Sequence, residues 1–325
     1  MAKVFISRNW FPEQLQRVVN LHETDIWLEE CNPPRSVLLE KVRNIDGLIC
    51  LGSDLIDDKI ISAANNLKII SSFSTGVNNI DISAATAHKI PVVHPPHVLT
   101  ETTADFAFAL LLASARRIVE GDAFTRNGMW KNSSHLDLPG IDVNHSHLGI
   151  IGLGRIGAQI AKRGKAFNMR VSYFSRSRKP EIENLLDLEY VSNLHKLLAN
   201  SDFIIVCSSL NEKSMHLIGE AEFSVMKPTA IFINASRGGL VDSRSLCKAL
   251  ENRQIQRAAI DVTEIEPLPL NDPLLRQDNL IITPHIGSAV PQTRRNMMAM
   301  AVDHLLMGLK GERISLCSNP EVYEL

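Results

Sequence analysis

The run Gly152-Leu153-Gly154-Arg155-Ile156-Gly157 follows directly on an apolar β-type stretch, residues 147–151, and opens an amphipathic helical stretch, residues 156–167. No other feature narrows the folding options as far. A G-x-G-x-x-G pattern between a strand and a helix matches what a dinucleotide pyrophosphate needs. The first glycine allows a tight turn, the second lets the backbone approach the phosphates, and the third lets the helix pack on the strand. The phosphates then rest on helix N-terminal amides, where hydrogen-bond donors and the helix dipole both favour an anion. Gly152, Gly154, Arg155, Ile156 and Gly157 are therefore candidate cofactor contacts.

Short apolar runs alternate with helix-length stretches on both sides of this fingerprint. Residues 4–6, 25–28, 47–51 and 67–71 form one series, and 148–151, 171–174, 203–206, 230–233, 258–262 and 280–282 form another. Between them, residues 100–118 carry apolar side chains at helical spacing and read as a buried helix, and 121–140 read as a polar, glycine-bearing connection. Only a crossover of a dozen or so residues can return a chain to start a parallel neighbour, so the alternation predicts two parallel α/β sheets. A length of 325 residues accommodates two domains.

Composition removes several function classes. Hydrophobic residues at 45% and charged residues at 22% are ordinary for a globular chain. A net charge of −2 gives no positive field for nucleic acid or anionic lipid. Cys31, Cys50, Cys207, Cys247 and Cys317 are scattered and show no C-x-x-C pair, which fits reduced thiols in a cytoplasmic protein and predicts no metal. The N-terminus lacks a signal-peptide core, and the longest apolar run, 106–113, is far short of the ~20 residues needed to span a bilayer.

The second strand after a dinucleotide fingerprint normally ends in an acidic residue that binds the adenosine ribose 2′-hydroxyl of NAD. Here residues 158–180 contain no acid, and Val171-Ser172-Tyr173-Phe174 leads into Ser175-Arg176-Ser177-Arg178-Lys179. A guanidinium pairs bidentately with a 2′-phosphate that a carboxylate would repel. Ser175, Arg176 and Ser177 are the expected contacts, and NADPH is expected to be preferred over NADH.

Three polar residues stand beside later strand ends: Arg237 in Asn234-Ala235-Ser236-Arg237-Gly238, Glu266 in Asp261-Val262-Thr263-Glu264-Ile265-Glu266-Pro267, and His285 in Thr283-Pro284-His285-Ile286-Gly287. By their resemblance to segments of the NAD(P)-dependent D-isomer-specific 2-hydroxyacid dehydrogenases, these residues imply reduction of a 2-oxo acid, which needs a cation for the carboxylate, a proton donor for the carbonyl oxygen and a hydride held near the carbonyl carbon. Arg237 suits the first task and His285 the second, with a hydrogen-bonded Glu266 favouring the imidazolium. The remaining histidines, including His145 and His147, have no matching set of partners in the sequence.

These segments, together with Ser74-Thr75-Gly76-Val77-Asn78-Asn79-Ile80-Asp81 and Leu99-Thr100-Glu101-Thr102-Thr103-Ala104-Asp105, resemble the NAD(P)-dependent D-isomer-specific 2-hydroxyacid dehydrogenases over nearly the whole chain. The resemblance implies two doubly wound parallel-sheet domains. A Rossmann cofactor domain, 99–288, is inserted in a flavodoxin-like substrate-binding domain made of 1–98 and 289–325. It also implies a catalytic set of Arg237, Glu266 and His285. Thr75 and the amides of Gly76 and Val77 would hold the substrate carboxylate opposite Arg237, and Gly287 and Ser288 would line the substrate cleft. Thr103, Ser209, Ala235 and Asp261 would contact the cofactor, with Asp261 facing the nicotinamide carboxamide.

Within the family, the Ser-Arg-Ser-Arg-Lys and Val206-Cys207-Ser208-Ser209 segments look like the NADPH-dependent glyoxylate/hydroxypyruvate reductases, which would yield a D-2-hydroxy acid from a small 2-oxo acid. Trp130 matches an arm that packs on a second subunit, so a homodimer is expected. Two alternatives stay open: a 2-ketogluconate (sugar-acid) reductase, and a non-catalytic dinucleotide-sensing protein like the C-terminal-binding-protein corepressors.

Overall fold

Among the residues described by the computed structural model, 1–131 and 138–324, twelve strands form two parallel sheets. They belong to two units, Met1–Leu99 with Ala289–Leu325, and Thr100–Ser288.

In the first unit, β1 (Lys3–Ile6), β2 (Glu23–Ile26), β3 (Gly47–Cys50), β4 (Ile69–Ser72) and β5 (Val92–Val93) pair in the order β2-β1-β3-β4-β5, which is the flavodoxin-like order. All four residues of β3 and of β4 are buried. That explains why these strands read as continuous apolar runs: helices cover both faces of a parallel sheet. The helix Pro291–Leu309 packs on β3 and β4. Its fit there is close, because a Cβ on Gly308 would stand 2.1 Å from Ile69 Cδ1, and Ser71 Oγ donates to the Ala301 carbonyl at 2.8 Å. The chain end then covers the short β5 edge. Ser318 N donates to the Val92 carbonyl at 2.7 Å, and Asn319 accepts from Val92 N at 2.8 Å, satisfying edge groups that would otherwise invite pairing with another chain.

In the second unit, β6 (His147–Ile151), β7 (Arg170–Phe174), β8 (Glu189–Tyr190), β9 (Phe203–Val206), β10 (Ile231–Asn234), β11 (Arg257–Ile260) and β12 (Leu280–Ile282) pair in the order β12-β11-β10-β9-β6-β7-β8. The chain winds one way from β6 to β8 and the other way from β9 to β12. A crevice therefore opens beyond the carboxyl ends of β6 and β9, the topological switch point at which doubly wound sheets bind ligands. The helix Thr100–Ala115 is largely apolar and buries half of its residues, packing against the helix Arg155–Ala166 and against β10 and β11, while Glu101 and Asp105 on its first turns stay exposed. Burying a side chain such as Phe108 or Leu111 contributes about 1.5–3 kcal/mol. Arg163 ties the two helices together, reaching Asp105 through Nε at 2.8 Å and Glu101 through Nη2 at 2.9 Å.

Five elements differ from the sequence expectation. The strand expected at 25–28 is β2, Glu23–Ile26, because Leu28 is not packed inward but 75% exposed. Strands β5 and β8 are two residues long, too short to show periodicity. The long helix ends at Ala115, and a separate helix, Ile118–Arg126, occupies the start of the stretch expected to be a polar connection over 121–140. Of that stretch, 132–137 lie outside the described residues.

Candidate active site

The glycine loop sits at the switch point. Gly152, after β6, has φ +98°, and a Cβ there would lie 2.8 Å from the Cys207 carbonyl oxygen just beyond β9. Gly157 faces back onto Gly152, whose carbonyl oxygen would be 2.3 Å from an added Cβ. Gly154 differs, since a Cβ there would meet nothing within 4 Å. Its bare face looks into open space at the N-terminus of the twelve-residue helix Arg155–Ala166, which no side chain caps. Uncapped amides behind an open glycine suit a pyrophosphate, so these residues fit a dinucleotide.

The loop after β7 divides its two arginines. Arg178 donates to Glu183 through Nε at 2.9 Å and Nη2 at 2.8 Å, and lies 5.8 Å from the Tyr190 ring centroid. The Tyr173 hydroxyl donates to the same buried carboxylate. Arg178 holds the Glu183 carboxyl below its usual range. Arg176 is exposed and has no hydrogen bond or ion pair among the described residues. Ser175 Oγ donates to the Ser177 carbonyl at 2.6 Å, folding the turn that carries Arg176.

Arg237 follows β10 on a loop shaped by Asn234. Asn234 Oδ1 accepts from Ser236 N at 3.1 Å and from Ser236 Oγ at 3.0 Å, and its Nδ2 donates to the Arg237 carbonyl at 3.0 Å. Ala235 packs against the sheet's apolar core. The Arg237 guanidinium donates through Nη1 to the Ser236 carbonyl at 2.6 Å, and its other donors meet no partner among the described residues. Burial pulls its pKa down and Glu266 opposes that shift, leaving a desolvated cation with open donors that invites a carboxylate.

His285 Nδ1 lies 2.7 Å from Glu266 Oε2, and Glu266 Oε1 accepts from Thr263 N at 3.1 Å. Burial raises the Glu266 carboxyl, but the His285 hydrogen bond and charge, the Thr263 amide and Arg237 outweigh it and hold the carboxyl below its ordinary value. Nε2 of His285 has no protein partner among the described residues, so the imidazole presents its second nitrogen outward.

His285 has φ +54°, which strains a residue with a side chain. Asp261 holds it there. The Asp261 carbonyl accepts from His285 N at 2.9 Å. The Asp261 carboxylate accepts from Thr283 Oγ1 at 2.6 Å, Ile286 N at 2.9 Å and Gly287 N at 2.7 Å. A Cβ on Gly287 would come 3.1 Å from Asp261 Oδ2 and 3.7 Å from Thr103 Cγ2, placing Thr103 beside this turn. Ser288 follows, half-buried. Ser209 lies in the loop after β9, where its carbonyl accepts from Ser214 Oγ at 2.8 Å.

Thr75, Gly76 and Val77 lie in the first unit, on the loop after β4. Thr75 Oγ1 donates to the Pro95 carbonyl at 3.4 Å, and Ser74 Oγ accepts from Gly52 N at 2.9 Å. The amides of Gly76 and Val77 donate to no described residue and are open to an acceptor.

Sequence reasoning missed the anchoring role of Asp261, the Glu183 partner of Arg178, and Asn234. Only Asn234 leaves a local signal, because an Asx residue at a strand end commonly folds the following loop. His147, set aside in the sequence, bonds the Asn200 carbonyl at 2.9 Å and Ser172 Oγ at 2.8 Å, at the end of β6 away from the glycine loop.

The family described as D-isomer specific 2-hydroxyacid dehydrogenase, NAD binding domain, matches residues 108–287. A glyoxylate reductase from Thermococcus litoralis is 45% identical over 95% of this chain and 94% of its own length. One from Korarchaeum cryptofilum is 42% identical over 99% and 97%. The crystal structure of an NADPH-dependent glyoxylate/hydroxypyruvate reductase from Sinorhizobium meliloti, in complex with NADP and malonate, aligns with a TM-score of 0.88 at 28% identity, covering 98% of this chain and 97% of that one. The chain belongs to the D-isomer specific 2-hydroxyacid dehydrogenase family.

Proposed function

We propose that the protein is an NADPH-preferring reductase of small 2-oxo acids, of the glyoxylate and hydroxypyruvate type. The observation that carries this reading is the 2.7 Å contact between His285 Nδ1 and Glu266, which leaves Nε2 without a partner among the described residues, while the charge of Arg237, whose donors are open, acts on the same Glu266 carboxylate. Arg237 would bind the substrate carboxylate and orient the oxo group; in the first unit, Thr75 and the amides of Gly76 and Val77 are proposed substrate contacts. His285 would donate a proton from Nε2 to the carbonyl oxygen, while Glu266 balances the imidazolium and fixes the ring. The glycine loop would hold the pyrophosphate, and Thr103, Ser209, Ala235 and Asp261 belong to the proposed cofactor side. A reduced nicotinamide bound there would supply the hydride for the carbonyl carbon.

NADPH preference is supported by the unpaired Arg176 and by the absence of an acid between residues 158 and 180. The names of the glyoxylate reductase relatives support the substrate class. A homodimer is part of the proposal. Ile118, Val119, Met129 and Trp130 are each more than half exposed, and exposed apolar side chains of this kind suit burial against a second copy. No described helix is long and apolar enough to cross a membrane, and we place the protein in the cytoplasm on its scattered, unpaired cysteines. The test is NADPH oxidation with glyoxylate, hydroxypyruvate and 2-ketogluconate in parallel. The first two are expected to be turned over with the higher kcat/KM. Preference for 2-ketogluconate would move the protein to the sugar-acid reductases, and tight nucleotide binding without turnover would favour a dinucleotide sensor.

A further inference from the structure

A second histidine–carboxylate pair stands two residues from the first. His216 Nε2 lies 2.9 Å from Glu264 Oε2, and Glu264 Oε1 accepts from Ser243 N at 2.8 Å. Glu264 thus bridges a loop after β9 and the start of the helix Ser243–Glu251. Backbone bonds fasten the same segments: His216 N donates to the Gly239 carbonyl at 2.8 Å, Ile218 N to the Leu240 carbonyl at 3.0 Å, and Asp242 N to the Ile218 carbonyl at 3.0 Å. Gly238 closes the junction. A Cβ there would fall 1.9 Å from the Thr263 carbonyl oxygen, so the backbone after Arg237 lies flat against the backbone before Glu264.

We infer that His216 and Glu264 are positioning residues for the reaction: their bridge locks the loop bearing Glu266 in register with the loop bearing Arg237. The inference rests on the catalytic reading given above. Glu264 and Glu266 lie on one tight loop, folded by the Thr263 Oγ1 bond to the Ile265 carbonyl at 2.7 Å and by the Thr263 N bond to Glu266. A shift at Glu264 therefore moves the carboxylate that orients His285. Both partners are part-exposed, with side-chain exposures of 44% and 33%, so the pair adds little to global stability. Its leverage is geometric, because displacing a catalytic group by a fraction of an ångström costs rate steeply. His216 has φ +50°, a conformation held by the surrounding bonds rather than preferred by the residue.

The test uses the full chain with His216→Ala, Glu264→Ala, the double variant and His216→Gln. It measures kcat and KM for glyoxylate at saturating NADPH, KM for NADPH, and Tm. Each alanine variant is expected to lose kcat by about tenfold, with KM for NADPH and Tm nearly unchanged. The double variant is expected to be no worse than the worse single one, because the two residues act through one bridge. His216→Gln, which keeps a donor, is expected to recover most of the loss. If an alanine variant does not fold, His216→Gln against His216→Leu gives the same contrast between a retained and a deleted donor. Unchanged kcat in the variant lacking the donor, multiplicative losses in the double variant, or no recovery with glutamine would overturn the inference. His285→Ala separates the two levels: full activity there sinks the catalytic reading, whereas an inactive His285→Ala beside a fully active His216→Ala sinks the positioning role alone.

Discussion

Glu266 spends one carboxylate oxygen on His285 Nδ1 at 2.7 Å and the other on its own loop, accepting from Thr263 N at 3.1 Å. The carboxylate is therefore fixed before substrate arrives, and it fixes the imidazole in turn. This preorganisation concerns residues far apart in sequence but carried on the carboxyl ends of neighbouring strands.

The pH dependence follows from the direction of the Glu266 shift. Its carboxyl lies below its ordinary value of 4.5, so the charge on Glu266 is complete above that pH and is lost only as pH falls through the depressed value. The acid limb of kcat due to Glu266 should accordingly lie below pH 4.5, and Glu266→Gln should lack it while being slower at every pH. Stopped-flow rates at brief exposure to each pH check this. A wild-type acid limb centred above pH 5 that persists in Glu266→Gln would contradict the assignment.

The two arginines after β7 should behave differently. Arg178 is committed to Glu183 and stacked near Tyr190, whereas Arg176 has no partner among the described residues. Arg176→Ala should lower kcat/KM for NADPH by about 10–100-fold, the range expected for losing one charge-assisted contact, and leave NADH nearly unaffected. A wild type that prefers NADH would refute the cofactor assignment while leaving the fold untouched.

The fingerprint glycines should separate folding from binding. Gly154→Ala introduces a Cβ into open space, so Tm should hold while NADPH affinity falls. Gly157→Ala forces a Cβ to within 2.3 Å of the Gly152 carbonyl oxygen and should destabilise the fold by about 1–3 kcal/mol, the cost of overpacking. Thermal melts with and without NADPH distinguish the two. Equal Tm losses would show that the open face of Gly154 has been misread.

Cys31 is exposed and Cys50 is fully buried, where burial pushes the thiol far above its ordinary value. An aromatic disulfide reagent at neutral pH should therefore modify Cys31 quickly and Cys50 only on unfolding, with mass spectrometry assigning the sites. Fast labelling of Cys50 in the native protein would contradict the packing of β3.

Much of this was legible in the sequence, for physical reasons that also explain the gaps. The central strands β6, β9 and β10 are buried on both faces and so are written as uninterrupted apolar runs, which a reader can find. Strand β2 has one residue in two exposed, and the apolar pair Trp27 and Leu28 beyond it drew the expected strand away from its place. Arg237 and His285 stood out because each follows an apolar run in a recognisable segment. The three donors converging on the Asp261 carboxylate could not be read, because two of them are backbone amides that carry no residue identity. The Arg178–Glu183 pair was equally hidden, since a run of basic residues does not say which of them folding will neutralise.

The most direct measurement is the rate of NADPH oxidation with glyoxylate for the wild type and for His285→Ala, alongside fluorescence titration of NADPH binding to both. The account expects a turning-over wild type, a variant slower by about 10²–10⁴-fold, and the same nucleotide affinity in each. A His285→Ala protein that reduces glyoxylate at near wild-type rate, or a wild type that binds NADPH and reduces no 2-oxo acid, would contradict it.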